Sequence, residues 1–174
     1  MQTRVVLAIV IFAIVGCKKE TAPPAPLASS VQSLPADLFT TTPPPGATDV
    51  AATRKSAKDG DAIVIKGQVA GAKEPIAANR AIMTVADLSL PTCDKTPGDK
   101  CPTPWDACCE PSDKIAANSL SVQVVGADGR PLKAGLGGAT GIAPLKHVVV
   151  AGVVKMAAGS DTPIVEARQI YVQP

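Results

Sequence analysis

The chain has 174 residues, with 17 basic and 15 acidic side chains and an aromatic content of only 2%. This length fits one domain with a tail, and a near-neutral charge with so few aromatic residues argues against nucleic acid as a partner. A single histidine excludes most histidine-based zinc catalysis.

The N-terminus has the pattern of an export signal. Arg4 precedes an apolar run that ends at Gly16, which is shorter than the roughly 20 residues that span a bilayer. The run closes in Ile14-Val15-Gly16-Cys17, which resembles the lipobox of bacterial lipoproteins. The resemblance implies that residues 1–16 are a signal peptide and that Cys17 is lipidated. An uncleaved N-terminal helix with an incidental cysteine is the alternative.

Lipid on Cys17 would hold the protein firmly at a membrane, because several acyl chains anchor far better than one. We therefore predict a location in the cell envelope, facing the periplasm or the outside. Lys18 follows the cysteine, and by resemblance to lipoprotein sorting in envelopes with two membranes this favours the outer membrane over the inner one.

Residues 17–47 form a predicted tether between the lipid and the domain. Its prolines are Pro23, Pro24, Pro26, Pro35, Pro43, Pro44 and Pro45. Proline fixes φ and has no amide donor, so such a segment forms neither a sustained helix nor a sheet and acts as a semi-extended spacer. Within it, we interpret Leu34, Leu38 and Phe39 as an incidental hydrophobic spot.

The folded domain is predicted over residues 48–174. Thr48 or Asp49 is a suitable cap for a short helix over residues 49–58, which Gly60 would end. Runs of β-branched and apolar residues then predict five strands. These strands cover residues 61–70, 80–87, 119–125, 146–154 and 162–172, and a glycine-rich connection, residues 132–145, separates the third from the fourth.

Five strands with a coiled connection between the third and the fourth are typical of an OB-fold barrel. Gly67 and Gly152 interrupt two of the strands, where glycine permits a bulge or a sharp bend. Residues 60–69 and 148–154 resemble the first and fourth strands of small bacterial periplasmic OB-fold domains. We therefore predict a mainly all-β fold, a small five-stranded OB-fold-like barrel with a short N-terminal helix. An open β-sandwich is the alternative.

The segment Cys101–Glu110 is the most specific motif of the chain and reads Cys-Pro-Thr-Pro-Trp-Asp-Ala-Cys-Cys-Glu. Together with the lipobox and the first strand, it resembles a group of uncharacterised exported bacterial lipoproteins that combine these features with an OB-fold-like domain. The resemblance implies the class and the compartment of the protein and brings no activity with it.

The connection formed by residues 88–118, the cysteine loop, contains Cys93, Cys101, Cys108 and Cys109. An unstructured loop of this length is uncommon and is usually functional or disordered. An even number of cysteines in an oxidising compartment predicts two disulfides, and closing a loop of about 15 residues contributes about 3 kcal/mol. A bond between adjacent Cys108 and Cys109 would be strained. Each therefore pairs with Cys93 or Cys101, and both connectivities stay open.

A metal site and a thiol-redox centre are the alternatives for the same four cysteines. Copper(I) suits soft thiolates, whereas the spacing lacks both the paired knuckles of zinc sites and the Cys-x-x-Cys of redox centres. Trp105 is predicted to pack over the crosslinks as a minicore, with a ligand contact as the alternative. The five carboxylates of the loop do not match a calcium-binding loop, and we interpret them as solvated.

The sequence has no recognisable catalytic set. His147 opens the fourth predicted strand, no nucleophile elbow occurs, and the run Gly135–Gly141 does not match the dinucleotide fingerprint. We therefore predict a membrane-anchored, non-enzymatic binding or structural module without a cofactor. It would contact an envelope protein or glycan through its disulfide-tied loop. The alternative is a metal-handling or thiol-redox protein that uses the four cysteines of the loop with zinc or copper.

Overall fold

A computed structural model of the protein describes residues 33–138, 141–157, 159 and 161–174. The predicted signal peptide, the predicted lipidation site Cys17 and the first part of the tether lie outside the described residues. No helix within these ranges is long and apolar enough to cross a membrane.

The predicted helix and the five predicted strands are all present, and their ends lie within two residues of the expected positions. A two-residue strand and a second short helix are added. In chain order the elements are β1 (Thr48–Asp49), α1 (Val50–Ser56), β2 (Ala62–Val69), β3 (Ile82–Ala86), a 3-10 turn (Cys93–Lys95), α2 (Ser112–Ala117), β4 (Ser119–Gln123), β5 (His147–Met156) and β6 (Pro163–Val172).

Strands β2 to β6 form a closed barrel. They follow the order β2-β3-β4-β6-β5, and β5 pairs back onto β2. The β4–β6 pair is parallel and the other barrel pairs are antiparallel. This is the strand order of an OB-fold. The prediction of a small all-β, OB-fold-like barrel is thus confirmed, and the open sandwich is excluded.

One edge of β2 pairs with β5, and the other edge is divided between two strands because it changes partners at Gly67. Residues 65–66 pair with β1, and residues 68–69 pair with β3. A Cβ atom on Gly67 would lie 2.5 Å from the carbonyl oxygen of Ala86. Only glycine therefore lets the two strands approach this closely.

Gly152 lies at the second irregularity, between β5 and β6. Ala151 pairs with Gln169 and Gly152 with Ala167, so that one residue of β6 bulges out of the ladder. A Cβ atom on Gly152 would collide with the carbonyl oxygen of Glu166. The bulge lets the long β5–β6 pair curve around the barrel.

Inward-facing side chains of the strands fill the barrel, as the alternating burial of β4 and β5 shows. The glycine-rich connection also contributes three core residues, Leu132, Leu136 and Ile142, although its described part forms no helix. The largest buried side chains of this core are Leu38, Ile65, Met83, Leu120, Leu136, Ile142 and Ile170.

The packed domain begins earlier in the chain than predicted. Leu38 is only 1% exposed, and Leu34 and Phe39 pack against the same core. The amide of Ile170 donates to the Leu38 carbonyl at 2.7 Å, and the amide of Thr40 donates to the Ile170 carbonyl at 3.0 Å. The interpretation of Leu34, Leu38 and Phe39 as an incidental spot is therefore wrong, because this segment lines β6.

Helix α1 ends at Ser56, two residues before the predicted end. Asp49 occupies the N-cap position, but its side chain makes no capping hydrogen bond. The amide of Ala51 instead donates to Oδ2 of Asp87 at 2.8 Å. A carboxylate from the far end of β3 thus satisfies one of the free amides at the start of the helix.

Candidate functional site: a four-thiol cluster in the cysteine loop

The cysteine loop leaves the barrel after β3 and returns to it at β4, and its two ends are joined. The amide of Asp87 donates to the carbonyl of Asn118 at 2.8 Å. Helix α1 bridges both ends, since Asp87 accepts from Ala51 while Arg54 Nη1 donates to the Ser119 carbonyl at 3.1 Å. The loop is therefore an Ω-like insertion with a closed base.

The loop folds back onto the barrel through a second, smaller hydrophobic cluster. Ala70 and Ala86 of the barrel side and Leu90 and Ala107 of the loop are buried together. Trp105 packs against them, and its indole Nε1 donates to the Lys73 carbonyl at 3.0 Å. The minicore around Trp105 thus consists of alanine and leucine side chains, and no cysteine belongs to it.

Backbone hydrogen bonds fix the two arms of the loop that carry the cysteines. The amide of Cys93 donates to the Asp106 carbonyl at 2.8 Å, and that of Asp94 donates to the Pro104 carbonyl at 2.8 Å. The amide of Glu110 donates to the Ala107 carbonyl at 2.9 Å, closing a turn whose two central residues are Cys108 and Cys109. The arms thereby face each other.

All four predicted cysteines come together in this part of the loop. The Cys108 Sγ atom lies 3.5 Å from that of Cys93 and 3.8 Å from that of Cys101. The Sγ atoms of Cys93, Cys108 and Cys109 all lie within 4.8 Å of one another. Cys93 is buried, whereas Cys108 and Cys109 are exposed, so the cluster opens to solvent on one side.

The four cysteines are free thiols in this structure. The prediction of two disulfides therefore stays a prediction, as does the choice between their two connectivities. The alternative is that the same sulfurs hold a metal ion, and three of them lie within 4.8 Å of one another.

The thiols differ in acidity. Burial, together with hydrogen bonds to Cys108 and Cys101, raises the pKa of Cys93 to about 12. A hydrogen bond to Cys93 lowers the pKa of Cys108, but the interaction with Cys101 and burial outweigh it, and the net shift is upward. A side-chain hydrogen bond with Thr103 lowers the pKa of Cys101. Cys101 thus ionises more readily than Cys93 or Cys108.

The sequence indicated Asp99 only as one of the solvated carboxylates and gave Thr103 no role, but both side chains contact the cluster. Asp99 accepts from the Cys101 amide at 2.8 Å, and its Oδ2 lies 3.8 Å from the Cys109 Sγ. Thr103 Oγ1 lies 3.3 Å from the Cys101 Sγ. An aspartate whose side chain accepts from the amide two residues later forms a recurrent local turn. The turn at Asp99 could therefore have been predicted from the sequence. Of the remaining carboxylates, Glu110 pairs with Lys114 at 2.6 Å.

His147 starts β5, as predicted, and is exposed. It lines a shallow depression of about 140 Å³ together with Lys66, Leu88 and Gln173. Among the hydrogen bonds found for these residues, none joins two side chains in the arrangement of a catalytic dyad. The cysteine loop is therefore the candidate site.

The fold and the thiol cluster together define the chain as a small OB-fold-like barrel with a cysteine-rich insertion between its second and third barrel strands. No family model matches the sequence, and neither a curated protein nor a solved structure shows a significant similarity to it.

Proposed function

We propose that this protein is a membrane-tethered, non-enzymatic binding module of the bacterial cell envelope, and that it contacts its partner through the tip of the cysteine loop. The anchoring part rests on the lipobox-like sequence that ends in Cys17. The binding part rests on one structural observation, an exposed loop tip held between two fixed ends.

The tip comprises residues 94–100, all of which are exposed, whereas Thr92 and Cys93 immediately before it are buried. The Thr92 hydroxyl donates to Asp94 Oδ1 at 2.5 Å, and Asp99 Oδ1 accepts a hydrogen bond from the Cys101 amide. Both ends of the tip are thus fixed to the folded part of the loop. A loop that is already ordered loses less conformational entropy on binding.

The chemistry of the tip supports a polar partner. It presents Asp94, Lys95, Asp99 and Lys100 around a turn at Gly98, whose φ of +82° suits glycine. Alternating charges without a large apolar side chain are suited to hydrogen bonds and ion pairs with a protein surface or a glycan. Exposed loops on rigid scaffolds are also where binding residues are commonly found.

Site-specific photocrosslinking in intact cells tests the proposal. A photoreactive residue replaces Thr96 in the tip, and a matched control carries it at Asp128, an exposed turn residue beyond the other end of β4. We expect a discrete adduct from position 96 and none from position 128. A second control replaces residues 88–118 by a short Gly-Ser linker and carries the photoreactive residue within that linker. We expect no adduct from this variant.

Two results would contradict the proposal: equal adducts from both positions, or no adduct from position 96 although the protein is present in the envelope fraction. The thiol cluster supports a second candidate function, metal handling, because its sulfur atoms converge in a way that partner binding does not require.

A further inference from the structure

We infer that Cys93, Cys108 and Cys109 bind one thiophilic metal ion, copper(I), through their three sulfur atoms. Cys101 lies beside this site as a neighbour and is not a ligand. The inference concerns the loop itself and holds whether or not the tip binds the partner proposed above.

The distances between the sulfur atoms fit one ion. Metal–sulfur bonds of about 2.3 Å place the sulfur ligands of a single ion about 3.8–4.0 Å apart by simple geometry. In the structure, Cys93 and Cys108 lie 3.5 Å apart, and all three sulfur atoms lie within 4.8 Å of one another. Small side-chain rotations therefore suffice to bring the three sulfurs onto one ion.

The backbone explains how two adjacent residues can share the ion. Cys108 and Cys109 occupy the centre of the turn that the Glu110-to-Ala107 hydrogen bond closes, and both sulfur atoms lie within 4.8 Å of that of Cys93. Cys93 lies on the opposite arm at the start of the 3-10 turn, and its amide donates a hydrogen bond to the Asp106 carbonyl. Two hydrogen-bonded arms thus preorganise the ligands, which reduces the ordering cost of binding.

The number of converging sulfurs points to copper(I). Zinc in structural sites is almost always four-coordinate, whereas copper(I) is bound well by soft thiolates and accepts three of them. Cys101 lies 3.8 Å from Cys108, but its sulfur is not within 4.8 Å of all three of the other sulfur atoms. Its sulfur instead lies 3.3 Å from Thr103 Oγ1. On binding, each of the three ligand thiols releases its proton to solvent and its sulfur donates an electron pair to copper.

The exposed face of the cluster gives the ion a way in. Cys108 and Cys109 are accessible to solvent while Cys93 closes the inner side. Asp99 lies beside Cys109 at 3.8 Å on the outer side. The site is therefore open to exchange from solution, as a site that receives and releases metal requires.

Competition titration of the full chain tests the inference. The reduced protein, purified in detergent without oxygen, is titrated with copper(I) against a chromogenic copper(I) chelator, and native mass spectrometry counts the bound ions. We expect one copper ion per chain. Cys108→Ser and Cys109→Ser should each weaken binding by more than about 100-fold, because loss of a direct ligand exceeds the 10–100-fold cost of losing an outer partner.

Cys101→Ser is the matched control, since it makes the same change in the same cluster and should leave the affinity within about threefold. Circular dichroism of each variant verifies that the barrel remains folded. The inference is overturned if Cys101→Ser weakens binding as much as Cys108→Ser does, which would indicate a four-thiolate site. It is equally overturned if zinc binds more tightly than copper(I) in a parallel titration.

Thiol alkylation of the chain isolated from envelopes without reductant provides a second readout. We expect the thiols of Cys93, Cys108 and Cys109 to react once copper is removed by the chelator. Two disulfides in the isolated chain would overturn the inference and support the structural crosslinks predicted from the sequence. This outcome leaves the photocrosslinking test of the loop tip unaffected, so the two proposals fail independently.

Discussion

At the scale of single residues, the carboxylate of Asp87 links three parts of the fold. Its oxygens accept from the Ala51 amide at 2.8 Å, the Ser89 amide at 3.0 Å and the Ser89 hydroxyl at 2.6 Å, while the residue is only 6% exposed. Burial raises the pKa of Asp87, but the hydrogen bonds from Ala51 and Ser89 and the charge of Lys66 lower it further, so that the pKa lies below its usual value.

We predict that Asp87→Asn destabilises the protein by about 1–3 kcal/mol at pH 7, because an amide leaves buried donors without a full set of acceptors. The depressed pKa makes Asp87 stabilising above its unfolded pKa of about 3.9, and this contribution is lost as pH falls through the folded-state pKa. The difference between the two proteins should therefore shrink below about pH 4. Urea unfolding at neutral pH and at about pH 3 measures it.

Asp49→Asn is the matched control for this prediction. Asp49 begins the same helix, but it makes no capping hydrogen bond and only an exposed ion pair with Lys66 at 3.4 Å. Its replacement should change the free energy of unfolding by less than about 1 kcal/mol. Equal effects of the two substitutions, or a difference for Asp87→Asn that is constant with pH, would contradict this role of Asp87.

At the scale of elements, the sequence predicted the strands well because most of them are rich in β-branched residues and β4 alternates apolar with polar residues. The glycine positions were also informative, since Gly67 and Gly152 lie where β2 changes partners and where β6 bulges. The long-range capping of α1 by Asp87 could not be predicted, because its partners lie 36 residues apart and leave no local pattern.

The candidate site shows the same division between local and long-range information. The sequence indicated the cysteine loop by its length and its four cysteines, and this part required no structure. The central position of Cys108 and the outer position of Cys101 depend on how the two arms of the loop pair. One such contact is the hydrogen bond from the Cys93 amide to the Asp106 carbonyl. Such pairing inside an irregular segment has no periodic signature.

The segment before β1 provides the second prediction. Leu38→Ala should destabilise the protein by about 2–5 kcal/mol, as expected for removal of a fully buried leucine, although proline-rich sequence surrounds it. Asp37→Ala, at the exposed neighbouring position, should stay within about 0.5 kcal/mol. Denaturant unfolding followed by circular dichroism measures both, and an unchanged midpoint for Leu38→Ala would show that this segment does not stabilise the barrel.

At the scale of the whole molecule, the anchor proposed at Cys17 leads to the third prediction. Cells that express the wild-type chain should incorporate labelled palmitate into it, and Cys17→Ser should abolish this label because the acylated thiol is gone. Cys101→Ser is the matched cysteine control and should keep the label. Palmitate in the Cys17→Ser chain, or an intact mass that still includes residues 1–16, would refute lipidation at this position.

The closed base of the cysteine loop uncouples the length of the loop from the pairing of β3 with β4. An insertion whose ends meet, as Asp87 and Asn118 do, can lengthen, shorten or diverge with little effect on the strands that flank it. The loop also packs on the barrel through Leu90 and Trp105, so its fold depends on this one surface of the scaffold as well as on its closed base.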